Sequence, residues 1–153
     1  MAKCTRLCRK EMFFMMISTR GRYALRLMVD LANHRDDGFI PLTDVAERQG
    51  ISEKYLESIV SSLSKKGLVS SARGKGGGYK LNRPANQYTV QEILTVSEGS
   101  MAPVACLEDE VNQCENAQDC PTLAMWTNLY KMTQEYFEGI SVEDLASGKI
   151  EIK

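Results

Sequence analysis

The fold is decided by residues 51–81, which read ISEKYLESIVSSLSKKGLVSSARGKGGGYKL. Apolar residues first recur at helical spacing, and two lysines followed by Gly67 mark the end of that helix. Two short strand-like segments, Leu68-Val69 and Tyr79-Lys80-Leu81, then flank the sequence RGKGGG. The stretch therefore predicts an amphipathic helix followed by a β-hairpin with a basic, glycine-rich tip.

The segment before this helix predicts a second, shorter helix that ends at a turn containing Gly50. Two helices joined by a tight turn and followed by a basic hairpin are typical of winged helix-turn-helix proteins. In such proteins the second helix presents side chains to base edges, and the hairpin contacts phosphates beside it. We therefore predict a mainly α fold, with a winged helix-turn-helix DNA-binding domain and a small β-hairpin wing.

The predicted recognition helix has an apolar stripe, to which Tyr55 belongs, and a polar face of small hydroxyls and few charges. An ordinary solvated helix face has the same composition, but the basic wing that follows favours DNA. Glu57 is the candidate for base discrimination, because a carboxylate accepts from cytosine N4 and repels phosphate. Arg73 and Lys75 are candidates for phosphate neutralisation. The predicted DNA-binding residues are Ser52, Lys54, Tyr55, Glu57, Ser58, Ser61, Arg73 and Lys75.

The charges of the chain are unevenly distributed, although the formal net charge is only −1. Residues 1–87 contain 16 lysines and arginines against 8 aspartates and glutamates. Residues 88–153 contain 3 against 12. This asymmetry predicts a basic half that binds an anion and a separate acidic module.

Residues 121–138 predict a long helix that is apolar on two sides, with Pro121 at its first position. Such a helix needs two partners, which are its own domain and a second subunit; burial wholly within its own chain is the alternative. We predict a dimerisation helix, and a homodimer that binds a palindromic operator on double-stranded DNA. The two apolar stripes are Leu123, Trp126, Tyr130 and Phe137, and Met125, Leu129, Met132 and Tyr136.

These patterns divide the chain into four segments. Residues 1–16 are expected to be a loose tail upstream of a natural start at Met15 or Met16. Residues 17–98 form the winged helix-turn-helix domain, within which Thr89 and Glu92 match a capping box. Residues 99–120 form a cysteine-containing sensor loop, and residues 121–153 form the dimerisation helix and C-terminal segment.

The sequence also argues against a membrane protein and against an enzyme. The apolar run MFFMMI is too short for a span or a signal peptide, and no later stretch is longer. We therefore expect a cytoplasmic protein without membrane association. The glycine-rich loop matches neither phosphate-binding motif, and there is no nucleophile–base pair.

Cys106, Cys114 and Cys120 follow the spacing C-x7-C-x5-C. The close cysteine pairs of zinc sites are missing from this spacing. Thiolates spread over a loop can bind an iron–sulfur cluster, and reactive thiols can instead form an oxidation switch. A third interpretation is that the three cysteines are small residues that fill gaps in the packing.

The chain resembles the bacterial winged-helix transcriptional regulators that include IscR, NsrR and CymR. The resemblance is carried by ISTRGRYALR at residues 17–26, DVAERQGISEKYLE at 44–57 and GLVSSARGKGGGYKL at 67–81, and it extends over about residues 16–148. It implies a homodimeric repressor or dual regulator with a long crossing helix. The design is most similar to that of IscR-type members, in which cysteines matching Cys106, Cys114 and Cys120 bind a 2Fe-2S cluster that controls DNA affinity.

This chain lacks the residue that serves as the fourth cluster ligand in each of the two iron–sulfur types. IscR-type members have a histidine at the position of Leu123, and NsrR-type members have an aspartate near the position of Arg22. The segment PVACLEDE at residues 103–110 is also similar to CymR-type regulators of cysteine metabolism, which lack the cluster cysteines. That similarity implies a metal-free regulator, controlled by thiol oxidation or by a partner enzyme. The candidates for a fourth ligand are Glu108, Asp109, Thr122 and an exogenous thiol or water.

Overall fold

The computed structural model describes residues 17–152. The predicted tail at residues 1–16, with Cys4 and Cys8, lies outside the described residues. The mainly helical architecture with a two-stranded hairpin confirms the predicted fold class. In chain order the elements are α1 (Thr19–Asn33), α2 (Leu42–Gln49), α3 (Glu53–Lys65), β1 (Val69–Ala72), β2 (Gly78–Leu81), α4 (Val90–Glu98), α5 (Leu123–Glu138) and α6 (Val142–Ala146).

Helix α1 lies at the centre of the winged domain. Ser18 is its extended N-cap residue, and the Ser18 hydroxyl accepts from the backbone N–H of Gly21 at 3.3 Å. Apolar side chains recur every three or four residues along α1, so that Ala24, Leu27 and Met28 are fully buried. Helices α3, α4 and α6 pack against this face and complete one hydrophobic core.

Helices α2 and α3 form the predicted helix-turn-helix, with the turn at Gly50. The apolar stripe of α3 faces the core, as its spacing predicts, and all of its members except the half-buried Tyr55 are fully buried. The opposite face of α3 is consequently left at the surface. The buried residues of α3 are Leu56, Ile59, Val60 and Leu63.

The wing consists of β1 paired antiparallel with β2. On the other side of β2, the backbones of Ile40 and Tyr79 exchange two hydrogen bonds of 2.9 and 2.8 Å. Gly78 permits this approach, because a Cβ at position 78 would lie 2.2 Å from the Ile40 carbonyl oxygen. Strand β2 of the wing is therefore bonded, near its tip end, to the connection between α1 and α2.

Tyr88 is a buried residue whose hydroxyl group forms hydrogen bonds with the backbone of the wing. Its hydroxyl donates to the backbone carbonyl of Leu68 at 2.6 Å. The same oxygen accepts from the backbone N–H groups of Asn82 at 2.9 Å and Arg83 at 3.1 Å. Three backbone groups at the end of the hairpin are thus satisfied by one side chain that is 0% exposed.

The capping box predicted at the start of α4 is half formed. The Thr89 hydroxyl accepts from the backbone N–H of Glu92 at 3.1 Å, but the Glu92 carboxylate pairs with Arg83. A complete capping box occurs instead at α6, between Ser141 and Asp144. The charge of Arg83, close in space but distant in sequence, explains the difference.

Two features near the cysteine loop differ from the sequence prediction. Helix α5 begins at Leu123 rather than at Pro121, because the Leu123 N–H bonds to the Cys120 carbonyl in a tighter turn. The loop also contains one helical turn at Ala105–Leu107. Across residues 17–152, none of the helices combines the length and the apolar character that a membrane span requires.

Candidate nucleic-acid interface and cysteine loop

The outer face of α3 presents most of the side chains that the sequence predicts to contact DNA. They lie opposite the buried stripe, on a helix that is packed on one side only. A slim polar face of this kind can enter a major groove without desolvating large apolar groups. The exposed members are Ser52, Lys54, Glu57, Ser58 and Ser61.

Tyr55 has a different environment from the other predicted contacts. It is half-buried, and its ring packs edge-on against Tyr23 of α1 with 5.9 Å between the ring centroids. The Arg26 guanidinium lies 5.5 Å from the centroid of Tyr23. Tyr55 therefore borders the exposed face while its ring contributes to the junction between α1 and α3.

Arg20 is a residue of this surface that the sequence reasoning missed. From the first turn of α1, it donates to the Ser58 carbonyl at 2.8 Å, to the Ser58 hydroxyl at 3.3 Å and to the Ser62 hydroxyl at 2.6 Å. A guanidinium group is thus fixed along the flank of the recognition helix. It adds a positive charge beside the exposed serines of that helix.

The wing tip carries Arg73 and Lys75, and both side chains are exposed. The tip is closed by a hydrogen bond of 2.9 Å from the Gly77 N–H to the Gly74 carbonyl. Both cations are thereby held on a short turn that extends from the paired strands. This arrangement suits contact with phosphate beside a groove.

A buried ion pair fixes the helix-turn-helix against α1. Asp30 is 4% exposed and accepts from Arg48 at 2.6 and 3.1 Å and from Gln49 at 2.9 Å. Burial alone would raise the pKa of Asp30, but the hydrogen bonds from Arg48 and Gln49 hold that pKa below its ordinary value. The end of α2, and with it the turn before α3, is therefore tied to α1.

The three loop cysteines are free thiols at or near the surface. Cys106 and Cys120 are half-buried, and Cys114 is exposed. Hydrogen bonds from the hydroxyl and backbone of Thr122 lower the pKa of the Cys120 thiol. Thiols are suitable donors for an iron–sulfur cluster. However, residues 17–152 contain no group of three cysteine, histidine or acidic side chains gathered closely enough to hold a metal ion.

The two positions at which the sequence resemblance implies a fourth cluster ligand hold unsuitable side chains. Leu123 is the first residue of α5 and has no donor atom. The Arg22 guanidinium donates to the Thr19 hydroxyl at 3.1 Å on the exposed side of α1. Glu108 and Asp109 are exposed carboxylates in the loop. None of these side chains is distinguished by the geometry as a ligand.

Helix α5 contrasts with the core helices because none of its residues is buried. Met125, Met132 and Tyr136 are 53%, 66% and 61% exposed. These residues form an apolar stripe on a helix whose main packing partner is α4. A stripe of this size on a surface helix is typical of a contact with another protein surface.

An exposed polar helix beside a basic wing, on a helix-turn-helix core, defines the class of winged-helix DNA-binding regulators. The family model described as Rrf2, iron-dependent transcriptional regulator, matches residues 17–148, and the chain belongs to this family. The family assignment confirms the resemblance seen in the sequence. It also agrees with the prediction of a transcriptional regulator rather than an enzyme.

Individual relatives agree with this assignment. The chain is 40% identical to the HTH-type transcriptional regulator IscR of Xenorhabdus nematophila over 135 aligned residues. These residues are 88% of this chain and 81% of the relative. The structure of CymR, the global cysteine regulator of B. subtilis, is 36% identical with a TM-score of 0.70, over 86% of this chain and 96% of that one. The structure of T. potens IscR is 32% identical with a TM-score of 0.68, over 88% of each chain.

Proposed function

We propose that this regulator is a cytoplasmic homodimer that binds a palindromic operator and acts as a repressor or dual regulator. The observation that carries the DNA part of the proposal is the outer face of α3, which exposes polar side chains on a helix that packs against β1 of the basic wing. In this proposal Ser52, Lys54, Tyr55, Glu57, Ser58 and Ser61 lie toward the major groove, and Arg73 and Lys75 contact phosphates or the minor groove.

Two substitutions separate the affinity for any DNA sequence from the preference for particular bases. Arg73→Ala should weaken binding to operator and random DNA alike, and should reduce the slope of log affinity against log salt by about 1. Glu57→Ala should mainly relax base preference, at a cost of about 1–3 kcal/mol in discrimination. Fluorescence anisotropy with an operator selected from random DNA measures both effects.

The control for this experiment is Lys131→Ala, which removes an exposed cation from α5. It should leave both affinities unchanged at the salt concentration used. An equal loss on operator and random DNA for Glu57→Ala would contradict the role assigned to that carboxylate. Wild-type protein that selects no sequence would contradict the proposal as a whole.

Homodimerisation is proposed from the exposed stripe of α5. A symmetric contact between two α5 helices would bury Met125, Met132 and Tyr136 of both chains at once. Such a dimer would carry two copies of α3 related by a two-fold axis, which is the symmetry that recognition of a palindrome requires.

We further propose that DNA affinity is controlled by a 2Fe-2S cluster bound through Cys106, Cys114 and Cys120. The support is the thiol donor set and the iron-dependent description of the family. The described loop does not hold the three thiols together, so binding requires the loop to rearrange. The chain's own contribution is to supply three thiolates on a segment that joins α4 to α5.

Anaerobic purification tests this part of the proposal. Wild-type protein should contain iron and acid-labile sulfide and absorb visible light. Cys106→Ala, Cys114→Ala and Cys120→Ala should each lose these properties, whereas Ser100→Ala, in the same loop, should keep them. Colourless wild-type protein that iron and sulfide cannot reconstitute would contradict the cluster.

A metal-free regulator is the second candidate. The lowered pKa of Cys120 favours its thiolate, and the similarity to the cysteine regulator CymR points in the same direction. In this alternative, thiol oxidation or a partner enzyme controls DNA binding. Mass spectrometric mapping after mild oxidation should then find a disulfide or mixed disulfide among the loop cysteines, together with altered operator affinity.

A further inference from the structure

Glu98 is the last residue of α4, where the chain enters the cysteine loop. Its carboxylate reaches the beginning of α1, 80 residues earlier in the sequence. One carboxylate oxygen accepts from the Ser18 backbone N–H at 3.2 Å and from the Ser18 hydroxyl at 2.7 Å. A negative charge at the N-terminus of a helix is favourable, because the first N–H groups carry positive partial charge.

Gly21 supplies the space for this carboxylate. It lies within α1, and a Cβ at this position would be 2.1 Å from the Glu98 Oε1 atom. Gly21 has no left-handed backbone that would require glycine. A buried glycine inside a helix costs stability relative to alanine, so the close approach of Glu98 gives it a physical reason.

The contact continues from α1 to the recognition helix. Ser18 is the N-cap of α1, and Arg20 follows in the first turn. The Arg20 guanidinium donates to Ser58 and Ser62 on α3. A continuous set of hydrogen bonds and one short piece of helix therefore joins the base of the cysteine loop to the DNA-facing helix.

We propose that Glu98 is a positioning residue that couples the cysteine loop to the recognition helix through Ser18 and Arg20. The inference rests on the proposed DNA contact of α3. A change in the loop that moves the end of α4 releases the start of α1. The Arg20 guanidinium then no longer has one fixed position beside Ser58, and operator affinity falls.

Gly21→Ala and Glu98→Ala break the same contact from opposite sides. The alanine at position 21 displaces the end of a flexible side chain, and alanine is itself favoured in a helix, so the fold is retained. Each variant should bind a selected operator about tenfold more weakly, the loss expected for about one charge-assisted hydrogen bond. Glu98→Gln, which keeps an acceptor oxygen, should restore most of the affinity.

The double variant gives the decisive measurement. Once Glu98 is replaced by alanine, an alanine at position 21 has no carboxylate to displace, so the double variant should bind like either single variant. Thr95→Ala, an exposed substitution on α4, is the control and should bind like wild type. Losses that multiply in the double variant, or wild-type affinity in both single variants, would overturn the coupling.

A second readout tests whether the loop acts through this contact. In a protein with Cys4 and Cys8 replaced by serine, iodoacetamide modifies the three loop thiols. This treatment should change operator affinity in the presence of Glu98 and have no effect in the Glu98→Ala variant. An equal change in both proteins would overturn the proposal. Failure of the unmodified protein to select any DNA would instead contradict the proposed function on which the coupling rests.

Discussion

Leu27 and Met132 are both apolar residues in the middle of a long helix, yet Leu27 is 0% exposed and Met132 is 66% exposed. Leu27 lies in α1, where neighbouring helices cover it; Met132 lies in α5, which buries no residue. The winged domain therefore buries its apolar side chains within the chain, whereas α5 leaves apolar side chains exposed. The difference separates a part of the molecule that is structurally complete from a part whose surface is suited to a partner.

The largest expected effect contrasts the two helices directly. Leu27→Ala leaves a cavity in the core and should lower the free energy of unfolding by about 3 kcal/mol. Met132→Ala, measured in dilute monomeric protein, should change it by less than about 0.5 kcal/mol. Denaturant unfolding checks both values. Equal destabilisation by the two substitutions would show that α5 is part of the same core.

The next effect concerns self-association. Met132→Glu should weaken the proposed homodimer about hundredfold, because a symmetric interface receives the desolvated charge twice. Sedimentation velocity over a range of protein concentrations measures this change, and Lys131→Gln at the adjacent exposed position serves as the control. Unchanged association of the Met132→Glu protein would remove α5 from the proposed interface.

A smaller effect on the free energy of unfolding is expected when the same substitution is made at two tyrosines. Tyr88→Phe removes the hydroxyl that bonds the buried Leu68 carbonyl and the backbone N–H groups of Asn82 and Arg83, and should cost about 2 kcal/mol. Tyr136→Phe removes a hydroxyl from a side chain that is 61% exposed, and should have no measurable effect on monomer stability. Urea unfolding at one protein concentration distinguishes them. Similar losses of unfolding free energy in both variants would mean that the hydrogen bonds of the Tyr88 hydroxyl do not stabilise the fold.

The smallest effect depends on pH. The pKa of Asp30 is lowered in the folded protein, so its carboxylate contributes stability above the unfolded value of 3.8, and this contribution is lost as the pH falls through the folded pKa. Above about pH 5, Asp30→Asn should therefore be less stable than wild type by about 1.5 kcal/mol. The difference in the free energy of unfolding between wild type and Asp30→Asn should become smaller below pH 3.8.

The control for the pH experiment is Asp36→Asn, which removes one exposed negative charge. Its stability should follow that of wild type across the same range. A gap between wild type and Asp30→Asn that stays constant down to the acid transition would contradict the assigned role of the ion pair.

The helix-turn-helix and the wing could be predicted from the sequence because their signals are local. The apolar spacing of α3, the turn at Gly50 and the glycine-rich tip each lie within one element or between neighbours. The exposed face of α3 followed from the same spacing. The positions of Arg73 and Lys75 followed from the hairpin.

The contacts that organise these elements could not be predicted, since they join residues that are far apart in the sequence. Arg20 meets Ser58 across 38 residues, and Tyr88 meets Leu68 across 20. Asp30 did leave a signal, because it lies three residues after Leu27 on the inward face of α1. A carboxylate at such a position requires a buried partner.

The cysteine loop is the part for which spacing was least informative. The pattern C-x7-C-x5-C identified three thiols but contained no information on their distances in space. A long connection with little regular structure has few backbone hydrogen bonds to fix its shape. Its geometry therefore could not be inferred from the order of its residues.

The hydrogen bonds between Ile40 and Tyr79 have a consequence for protein engineering. With β1 on one side and Ile40 on the other, β2 is held by backbone hydrogen bonds that do not involve the tip. Residues 73–77 are thus an exchangeable part: tips of other lengths and charges can be grafted between Ala72 and Gly78 without redesigning the helices. Given the proposed roles of the wing tip and of α3, the salt dependence of DNA binding becomes a property that can be adjusted separately from base preference, provided that Gly78 is kept.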